Sequence, residues 1–423
     1  MWVRLTGPPS CFTLWPTKCF VGVPRVDGGL YLRDVWAVLD PRAGDVRRAT
    51  LGWQDGRCRV LGPEDTSTLG PGTVWDAAGL VAVPGLVDSH VHWGGAATMR
   101  QAEAPPDPRG LQADFAAFLP AERLGCLAHG VTTIQSMGDP LDWILAMREA
   151  VAGGLPGPRV RAVGPIFTAP EGHPAGDLFR SEPWLGAEVC RQFGPGEGGA
   201  AAREVASLAL RGVDAIKVAY DGCNGTLPRL DEEVLAAIVA AAHRAGLEVH
   251  AHVGSATEAL TALRSGVDVC EHVPEADGAG LWERVADAMA EHQAAICPTL
   301  VALTAGRGAE AARQAARWVA HLGQRGVPVH AGTDLGNAGV RPGQGLHDEL
   351  SLLVQGGLSA TQALAAATVA SGGRSGRSPE GVPADWLLVR GDPLSDLGVL
   401  RQPTLVVQSG RVQCGDAGKE LAG

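Results

Sequence analysis

The residues with the clearest chemical potential are two histidines at the end of an apolar run. His90 and His92 close the segment 83–92, VPGLVDSHVH, which is typical of a buried strand. Residues two positions apart on a strand point to the same side. Two neutral imidazoles aimed at one point can chelate a borderline metal such as zinc. A His-x-His pair alone is weak evidence for a metal site, so its interpretation depends on whether other metal-ligating residues accompany it.

Four further runs end on a residue that could complete such a site. The runs are 213–217 (VDAIK), 247–252 (LEVHAH), 267–272 (VDVCEH) and 327–334 (VPVHAGTD), and they end on Lys217, His252, His272 and Asp334. With the first pair they supply six candidate ligands at the ends of five runs.

The elements that must position these residues alternate along the middle of the chain. Strands are predicted at 131–137, 160–167, 213–220, 248–253, 267–273, 295–303 and 327–334, which with the strand of His90 makes eight. Helical periodicity is present in 231–245, 256–264 and 281–292. Strands that alternate with helices imply parallel βαβ units, and eight of them imply an α/β fold with a closed (β/α)8 TIM-like barrel. The site of such a barrel lies at the carboxyl ends of its strands, where every candidate ligand falls.

This set of motifs resembles the amidohydrolase superfamily over most of the chain, and within it the branch of Xaa-Pro dipeptidase-like and imidazolonepropionase-like enzymes. The matching pieces are 84–92, Ile216-Lys217, His252, Glu271-His272, 331–334 (AGTD), 384–389 (ADWLLV) and 392–394 (DPL). The resemblance implies a metal-dependent hydrolase.

The two ends of the chain differ from the middle, because the pattern of each predicts short strands separated by turns. The resemblance implies that residues 29–82 and 383–417 together build a small β-sandwich, and that 83–372 form the barrel. Residues 371–381 are rich in Gly and Ser, which is typical of a flexible connection. Residues 1–28 match nothing and stay an unassigned extension.

Composition narrows the function classes without choosing one. The net charge of the 423 residues is −11 and no block of Lys or Arg stands out, which argues against a nucleic-acid groove. No apolar run reaches the ~18 residues that a membrane span requires, and the first residues lack a signal-peptide core. Nine cysteines without a Cys-x-x-Cys pair favour reduced thiols in the cytoplasm. A small-molecule substrate is expected, and a homo-oligomer is left open.

Lys217 is the candidate for a carboxylated lysine, whose carbamate can bridge two cations about 3.5–4 Å apart. An unmodified lysine at a buried strand end would be an uncompensated charge. We expect two divalent ions, of which zinc suits the donor set best. His90, His92 and Asp334 would hold the first ion, and His252 and His272 the second.

Two other histidines and one aspartate compete with these ligands. His250 lies two residues before His252, but the spacing from His252 to His272 fits the resemblance better. His250 and His330 are therefore expected in a lower layer of the barrel as hydrogen-bonded core residues. Asp88 is expected to hold its strand end by hydrogen bonds rather than to bind metal.

Asp334 is expected to orient the attacking water, take its proton and deliver it to the leaving nitrogen. A role as a plain ligand is the alternative that the sequence does not separate. His173, on the loop after the third strand, could polarise a carbonyl. Tyr220 and Arg180 could meet a substrate carbonyl or carboxylate, although a buried ring and a solvated arginine are the plainer interpretations.

The leading hypothesis is hydrolysis of an amide-type C–N bond in a small substrate such as an N-acyl amino acid or a dipeptide. A deaminase, a lactone or phosphoester hydrolase of the same fold, and a catalytically silent scaffold are the alternatives. Residues 169–195 form a long loop rich in Gly and Pro, which could act as a lid over the barrel mouth.

Overall fold

The structure is a computed structural model that describes residues 29–54, 57–63, 65, 70–94, 120–368 and 382–415. The extension 1–28, the connection 371–381 and the last two residues of the predicted sandwich segment lie outside the described residues. The fold is mixed α/β, with strands of the two chain ends in one sheet and parallel strands alternating with helices between them.

An eight-stranded sheet is assembled from both ends of the chain. It pairs its strands in the order β17-β16-β15-β5-β1-β2-β3, and β4 adds to β1. The link between the two ends is the antiparallel pair β5–β15, in which Val83 lies opposite Leu387. A separate apolar core lies under this sheet and includes Trp53 and Trp386. The strands are β1 (Gly29–Asp40), β2 (Asp45–Gln54), β3 (Arg57–Leu61), β4 (Gly72–Asp76), β5 (Val81–Pro84), β15 (Asp385–Val389), β16 (Leu405–Gln408) and β17 (Arg411–Gly415).

The middle of the chain holds two parallel sheets. One has the order β6-β7-β8 and the other the order β10-β9-β11-β12-β13-β14. The strands are β6 (Leu86–Val91), β7 (Val131–Ser136), β8 (Arg159–Ala162), β9 (Ile166–Thr168), β10 (Cys190–Gln192), β11 (Ala215–Tyr220), β12 (Glu248–Val253), β13 (Val269–Glu271) and β14 (Ala295–Cys297).

Helices follow most of these strands. Residues 120–128 are helical, and the later helices are α1 (Leu141–Ala152), α2 (Pro183–Val189), α3 (Gly198–Leu210), α4 (Glu232–Arg244), α5 (Ala256–Arg264), α6 (Leu281–His292), α7 (Leu300–Arg307), α8 (Ala309–Gln324), α9 (Gln344–Gly356) and α10 (Ala360–Ala366). A 3-10 helix spans Leu397–Arg401. Asp231 caps α4 by accepting from the Glu233 N–H, and Ser255 with Glu258 forms a capping box on α5. The three helices that the sequence predicts are confirmed.

The third predicted strand is broken into β8 and β9. Gly164 between them has φ +84, and Pro165 lacks an N–H, so the hydrogen-bond ladder is interrupted there. Consequently β8 pairs with β7 while β9 pairs with β11. The two parallel sheets separate at this break.

The prediction of a strand over 295–303 is wrong beyond Cys297. Pro298 has no N–H to donate, Thr299 has φ +49, and α7 begins at Leu300. The buried Glu349 of α9 accepts hydrogen bonds from the N–H groups of Leu300 and Val301 at 3.0 and 2.8 Å. This cap comes from a distant helix and has no local sequence signature.

The eighth predicted strand, 327–334, is an extended segment with single bridges rather than a regular strand. Val329 bridges Ile296 of β14, and Leu335 bridges Val91 of β6. Its backbone also bonds to both neighbours: the His330 N–H donates to the Ile296 carbonyl at 2.8 Å and the Asp334 N–H to the His90 carbonyl at 2.8 Å. The segment thus lies between the edges of the two parallel sheets.

Two expectations from composition can be compared with the structure. Among the described residues no helix has the length and apolarity that crossing a bilayer demands. Six described cysteines are free. Cys414 is disulfide-bonded, so the expectation of reduced thiols is wrong for it. The cytoplasmic location and the homo-oligomer stay predictions.

Candidate metal centre

Three predicted ligands meet at one point near the carboxyl end of β6. The Nε2 atoms of His90 and His92 lie 3.3 Å apart, and Asp334 Oδ1 lies 3.5 and 3.4 Å from them. Asp334 Oδ1 is buried and has no hydrogen-bond partner among the described residues. Burial lowers the pKa of His92 to about 3, so its imidazole is neutral near pH 7. Two imidazole nitrogens and an unsatisfied carboxylate oxygen fit a divalent cation.

The carboxylate of Glu271 fixes the orientation of His90. Glu271 is fully buried, and its Oε2 lies 2.6 Å from His90 Nδ1 while its Oε1 lies 2.6 Å from His250 Nδ1. Burial acts to raise the pKa of Glu271, but the charges of His90 and Lys217 and the hydrogen bonds from His250 and His90 together hold it well below the usual range. An ionised carboxylate only accepts hydrogen bonds, so His90 Nδ1 carries the proton and Nε2 presents its lone pair to the centre.

The other two predicted histidine ligands are anchored in the same way. His252 Nε2 lies 3.1 Å from Asp221 Oδ2, and His272 Nδ1 lies 2.7 Å from Thr299 Oγ1. In each ring the remaining nitrogen is left for another ligand. The ring centroids of His252 and His272 are 4.7 Å apart, and that of His272 is 5.0 Å from His90. The structure therefore brings the four histidines into one contiguous cluster.

Lys217 is buried near this cluster. Its side chain comes from the middle of β11 and is 3% exposed. Burial lowers the pKa of Lys217, while the charges of Glu271 and Asp334 act in the opposite direction. Burial also lowers the pKa of His252 to about 4; Asp221 opposes this shift, and the charges of His173 and Lys217 add to it. The lysine is thus close to both halves of the site.

His250 is a buried, hydrogen-bonded histidine outside the cluster, as the sequence predicts. The buried His250 contacts Glu271 and, at 3.4 Å, the Gln135 side chain. Burial acts to lower the pKa of His250, but the hydrogen bonds that it donates to Glu248 and Glu271, together with the charges of these carboxylates, more than offset burial and raise it. For His330, burial and the neighbouring charge of His250 lower the pKa to about 4. His330 is half-buried, and its predicted place in a lower layer of the barrel stays a prediction.

Two buried aspartates hold the backbone around the first ligand pair. Asp88 accepts from the N–H and the hydroxyl of Thr333 at 2.9 and 2.7 Å, which ties β6 to the segment that carries Asp334. Asp139 accepts from the N–H groups of Trp93 and Gly94 at 2.9 and 2.7 Å. Burial raises the pKa of Asp88 to about 7 and that of Asp139 to about 6. Asp88 has the hydrogen-bonding role predicted for it.

His173 lies beside the cluster on the loop after β9. Its ring centroid is 4.7 Å from that of His252, and its Nδ1 is 2.9 Å from Asp177 Oδ2. The loop 169–195, predicted as a lid, contains α2 and the strand β10, which pairs with β9. The lid function stays a prediction, although its structure is more regular than the composition indicates.

The structure does not bring Tyr220 and Arg180 into contact with the histidine cluster. Tyr220 is three residues from Lys217 on one strand, so the two point to opposite faces. Its buried ring belongs to the main apolar core, and the Arg229 guanidinium lies 4.7 Å from the ring centroid. Arg180 is exposed and its Nε donates to the Gly176 carbonyl at 2.6 Å. Neither placement supports the predicted substrate contact.

Glu271, Asp221 and Thr299 are supporting residues that sequence reasoning did not identify. Glu271 immediately precedes His272, and strict strand alternation would place the two on opposite faces. His272 has φ +69, which turns the backbone so that both side chains contact His90. Asp334 and Thr299 also have positive φ, which is uncommon outside glycine and concentrates at functional sites.

The geometry agrees with the comparison to known families. The amidohydrolase family matches residues 81–411. The chain belongs to this family. The match covers the parallel strands that carry the cluster and, within the terminal sheet, β5, β15 and β16. It confirms the resemblance that the sequence motifs indicate.

Individual relatives are more distant. Uncharacterized protein Rv2915c of Mycobacterium tuberculosis (strain ATCC 25618 / H37Rv) is 32% identical over 228 residues, which are 49% of this chain and 60% of that protein. The chain thus spans less than two thirds of the curated relatives it matches. A solved Xaa-Pro dipeptidase with bound methionine in its active site has a TM-score of 0.72 and 21% identity, covering 92% of this chain and 100% of that one. Phenylurea hydrolase B has a TM-score of 0.72 and 23% identity, covering 91% and 96%. At these identities the two structures show a shared fold.

Proposed function

We propose that this chain is a metal-dependent hydrolase that cleaves an amide-type C–N bond in a small substrate. The observation that carries the proposal is the convergence of His90, His92 and Asp334 beside a buried lysine and two further histidines. We also infer that the two parallel sheets and the segment 327–334 form one (β/α)8 barrel over 83–372, with 29–82 and 383–417 as its β-sandwich. The bridges from Val329 and Leu335 to the two sheets support that closure.

The donor set supports two divalent ions, with zinc as the best fit. Imidazole nitrogen and carboxylate oxygen are donors that zinc accepts. A cation would also supply a partner for Asp334 Oδ1, which is buried without a hydrogen bond among the described residues. His90, His92 and Asp334 would hold one ion, and His252 and His272 the other. Lys217 would bridge them as a carbamate. Its lowered pKa supports this, because only the neutral amine reacts with carbon dioxide.

When bound, the ions lower the pKa of water so that it can act as a nucleophile near neutral pH. Asp334 then accepts a proton from the attacking water and delivers it to the leaving nitrogen. In its protonated form His173, held through Nδ1 by Asp177 beside the cluster, would donate a hydrogen bond from Nε2 to the substrate carbonyl. The proposal gives no role to Tyr220 or Arg180.

An N-acyl amino acid or a dipeptide is the proposed substrate class. The shared fold includes proteins described as an Xaa-Pro dipeptidase and a phenylurea hydrolase, whose names both refer to substrates with C–N bonds. The loop 169–195 carries His173 to the edge of the cluster and would limit the size of the substrate.

The test is a substrate library assayed with zinc and bicarbonate supplied. It contains N-acyl amino acids, dipeptides, lactones, phosphoesters and aminopurine-like compounds. We expect turnover of amides with release of an amine and an acid, and loss of that turnover in His90→Asn and His92→Asn. Turnover confined to lactones or phosphoesters, or ammonia as the only nitrogen product, would show that the bond is assigned wrongly.

A further inference from the structure

A second group of metal-ligating side chains lies beside the proposed centre. The ligand atoms of His173, Asp177 and Cys223 all lie within 4.8 Å of one another. His173 and Cys223 are half-buried and Asp177 is exposed, so the group is open to solvent. The first two residues belong to the loop after β9 and the third to the loop after β11. These loops meet at the same end of the sheet as the histidine cluster.

The backbone holds Cys223 in this place. Asp221 Oδ1 accepts from the Cys223 N–H at 2.6 Å, and Glu258 Oε1 accepts from the Gly222 N–H at 2.8 Å. Cys223 and Asn224 both have positive φ, an uncommon conformation for residues other than glycine. The thiol is free. The turn therefore presents a thiol to the His173–Asp177 pair at a cost in backbone strain.

His173 and Asp177 form a hydrogen-bonded pair, and the Cys223 thiol interacts with Asp221 as well as facing this pair. Asp177 alone could orient His173, as the distance of 2.9 Å indicates. A cysteine turned toward a histidine and a carboxylate adds the sulfur donor that zinc favours, giving one nitrogen, one oxygen and one sulfur ligand. Zinc is commonly tetrahedral, and a water would complete the fourth position.

We propose that His173, Asp177 and Cys223 form a third divalent-cation site, of zinc type, whose occupation inhibits the hydrolase. The ring of His173 lies 4.7 Å from that of His252, so the site is adjacent to the main centre without sharing a ligand. A cation on His173 removes the imidazole that would polarise the substrate carbonyl. The inhibition rests on the proposed function, whereas the cation site itself does not.

The cation site is tested by spectroscopy that needs no substrate. Cobalt(II) is titrated into the metal-free full-length protein, and a thiolate-to-cobalt charge-transfer band reports a sulfur ligand. We expect this band in the unsubstituted protein and its loss in Cys223→Ser. Cys297→Ser is the matched control, because Cys297 is the free thiol grouped with His90 and Glu271 at the main centre. A band that persists in Cys223→Ser, or that is lost only in Cys297→Ser, would overturn the proposal.

Asp177→Asn provides a second variant that leaves the thiol in place. Loss of a ligand should weaken the sulfur-reporting cobalt site at least ~10-fold, the lower end of what mutation of supporting groups costs a metal site. An unchanged affinity would contradict the proposed ligand set.

The inhibitory role is tested by zinc titration of turnover. Excess zinc should inhibit the unsubstituted enzyme, and Cys223→Ser should require at least ~10-fold more zinc for the same inhibition. Equal zinc sensitivity of the two proteins would refute the inhibition. If no substrate is turned over, the proposed function fails, and the cobalt band alone still decides whether the site binds a cation.

Discussion

Replacement of Glu271 by glutamine tests whether the buried carboxylate positions a metal ligand. Its two oxygens lie 2.6 Å from the Nδ1 atoms of His90 and His250. Glutamine keeps one acceptor oxygen, so at least one of these N–H groups loses its partner or meets an NH₂ group. A hydrogen bond to a charged group contributes about 1.5–3 kcal/mol. At about 1.4 kcal/mol per tenfold change, metal affinity should fall about 10- to 100-fold.

The assay is zinc affinity measured by competition with a chelator, together with turnover at saturating zinc. Glu258→Gln is the matched control, because Glu258 is also a buried carboxylate but accepts from Gly222 and caps α5 rather than contacting a histidine. The control should lose stability and retain zinc affinity. Unchanged zinc affinity in a folded Glu271→Gln protein would refute the positioning argument.

Three further predictions concern other buried groups. Lys217→Ala should lose at least one ion by metal analysis, and short carboxylic acids should restore part of its turnover; unchanged metal content and turnover would rule out the bridge. Asp334→Asn should lower turnover at least ~10²-fold with metals bound, as expected for a general base, and near-normal turnover would exclude the proton transfer. Burial raises the pKa of Glu349 from 4.5 to about 8, so the folded state binds this proton more tightly than the unfolded state does. Its contribution to the free energy of unfolding is therefore fully present below pH 4.5 and is lost as the pH rises through about 8. Urea unfolding of Glu349→Gln should show a smaller decrease in stability over this range, and an identical pH slope would contradict the argument.

The first ligand pair illustrates what the sequence predicts well. The period of two along a strand places His90 and His92 on one side, and the structure places their Nε2 atoms 3.3 Å apart. Helical periodicity is equally local, and the helices predicted at 231–245 and 256–264 begin at Glu232 and Ala256. Such features depend on residues that are close in the sequence, so they can be predicted without knowledge of the fold.

Features that depend on contacts between residues far apart in the sequence, or on unusual backbone turns, could not be predicted from the sequence. The role of Glu271 depends on the positive φ of His272, which breaks the alternation of side chains. The start of α7 depends on Glu349 of another helix. Tyr220 is a different case, since the alternation rule by itself already places it opposite Lys217.

The central claim is tested most directly by a crystal structure of the protein loaded with zinc and bicarbonate, with anomalous diffraction recorded at the zinc edge. The account predicts one anomalous peak between His90, His92 and Asp334, a second beside His252 and His272, and density for a carbamate on Lys217 between them. An absence of anomalous peaks among these residues, with Lys217 unmodified and turned away, would contradict it.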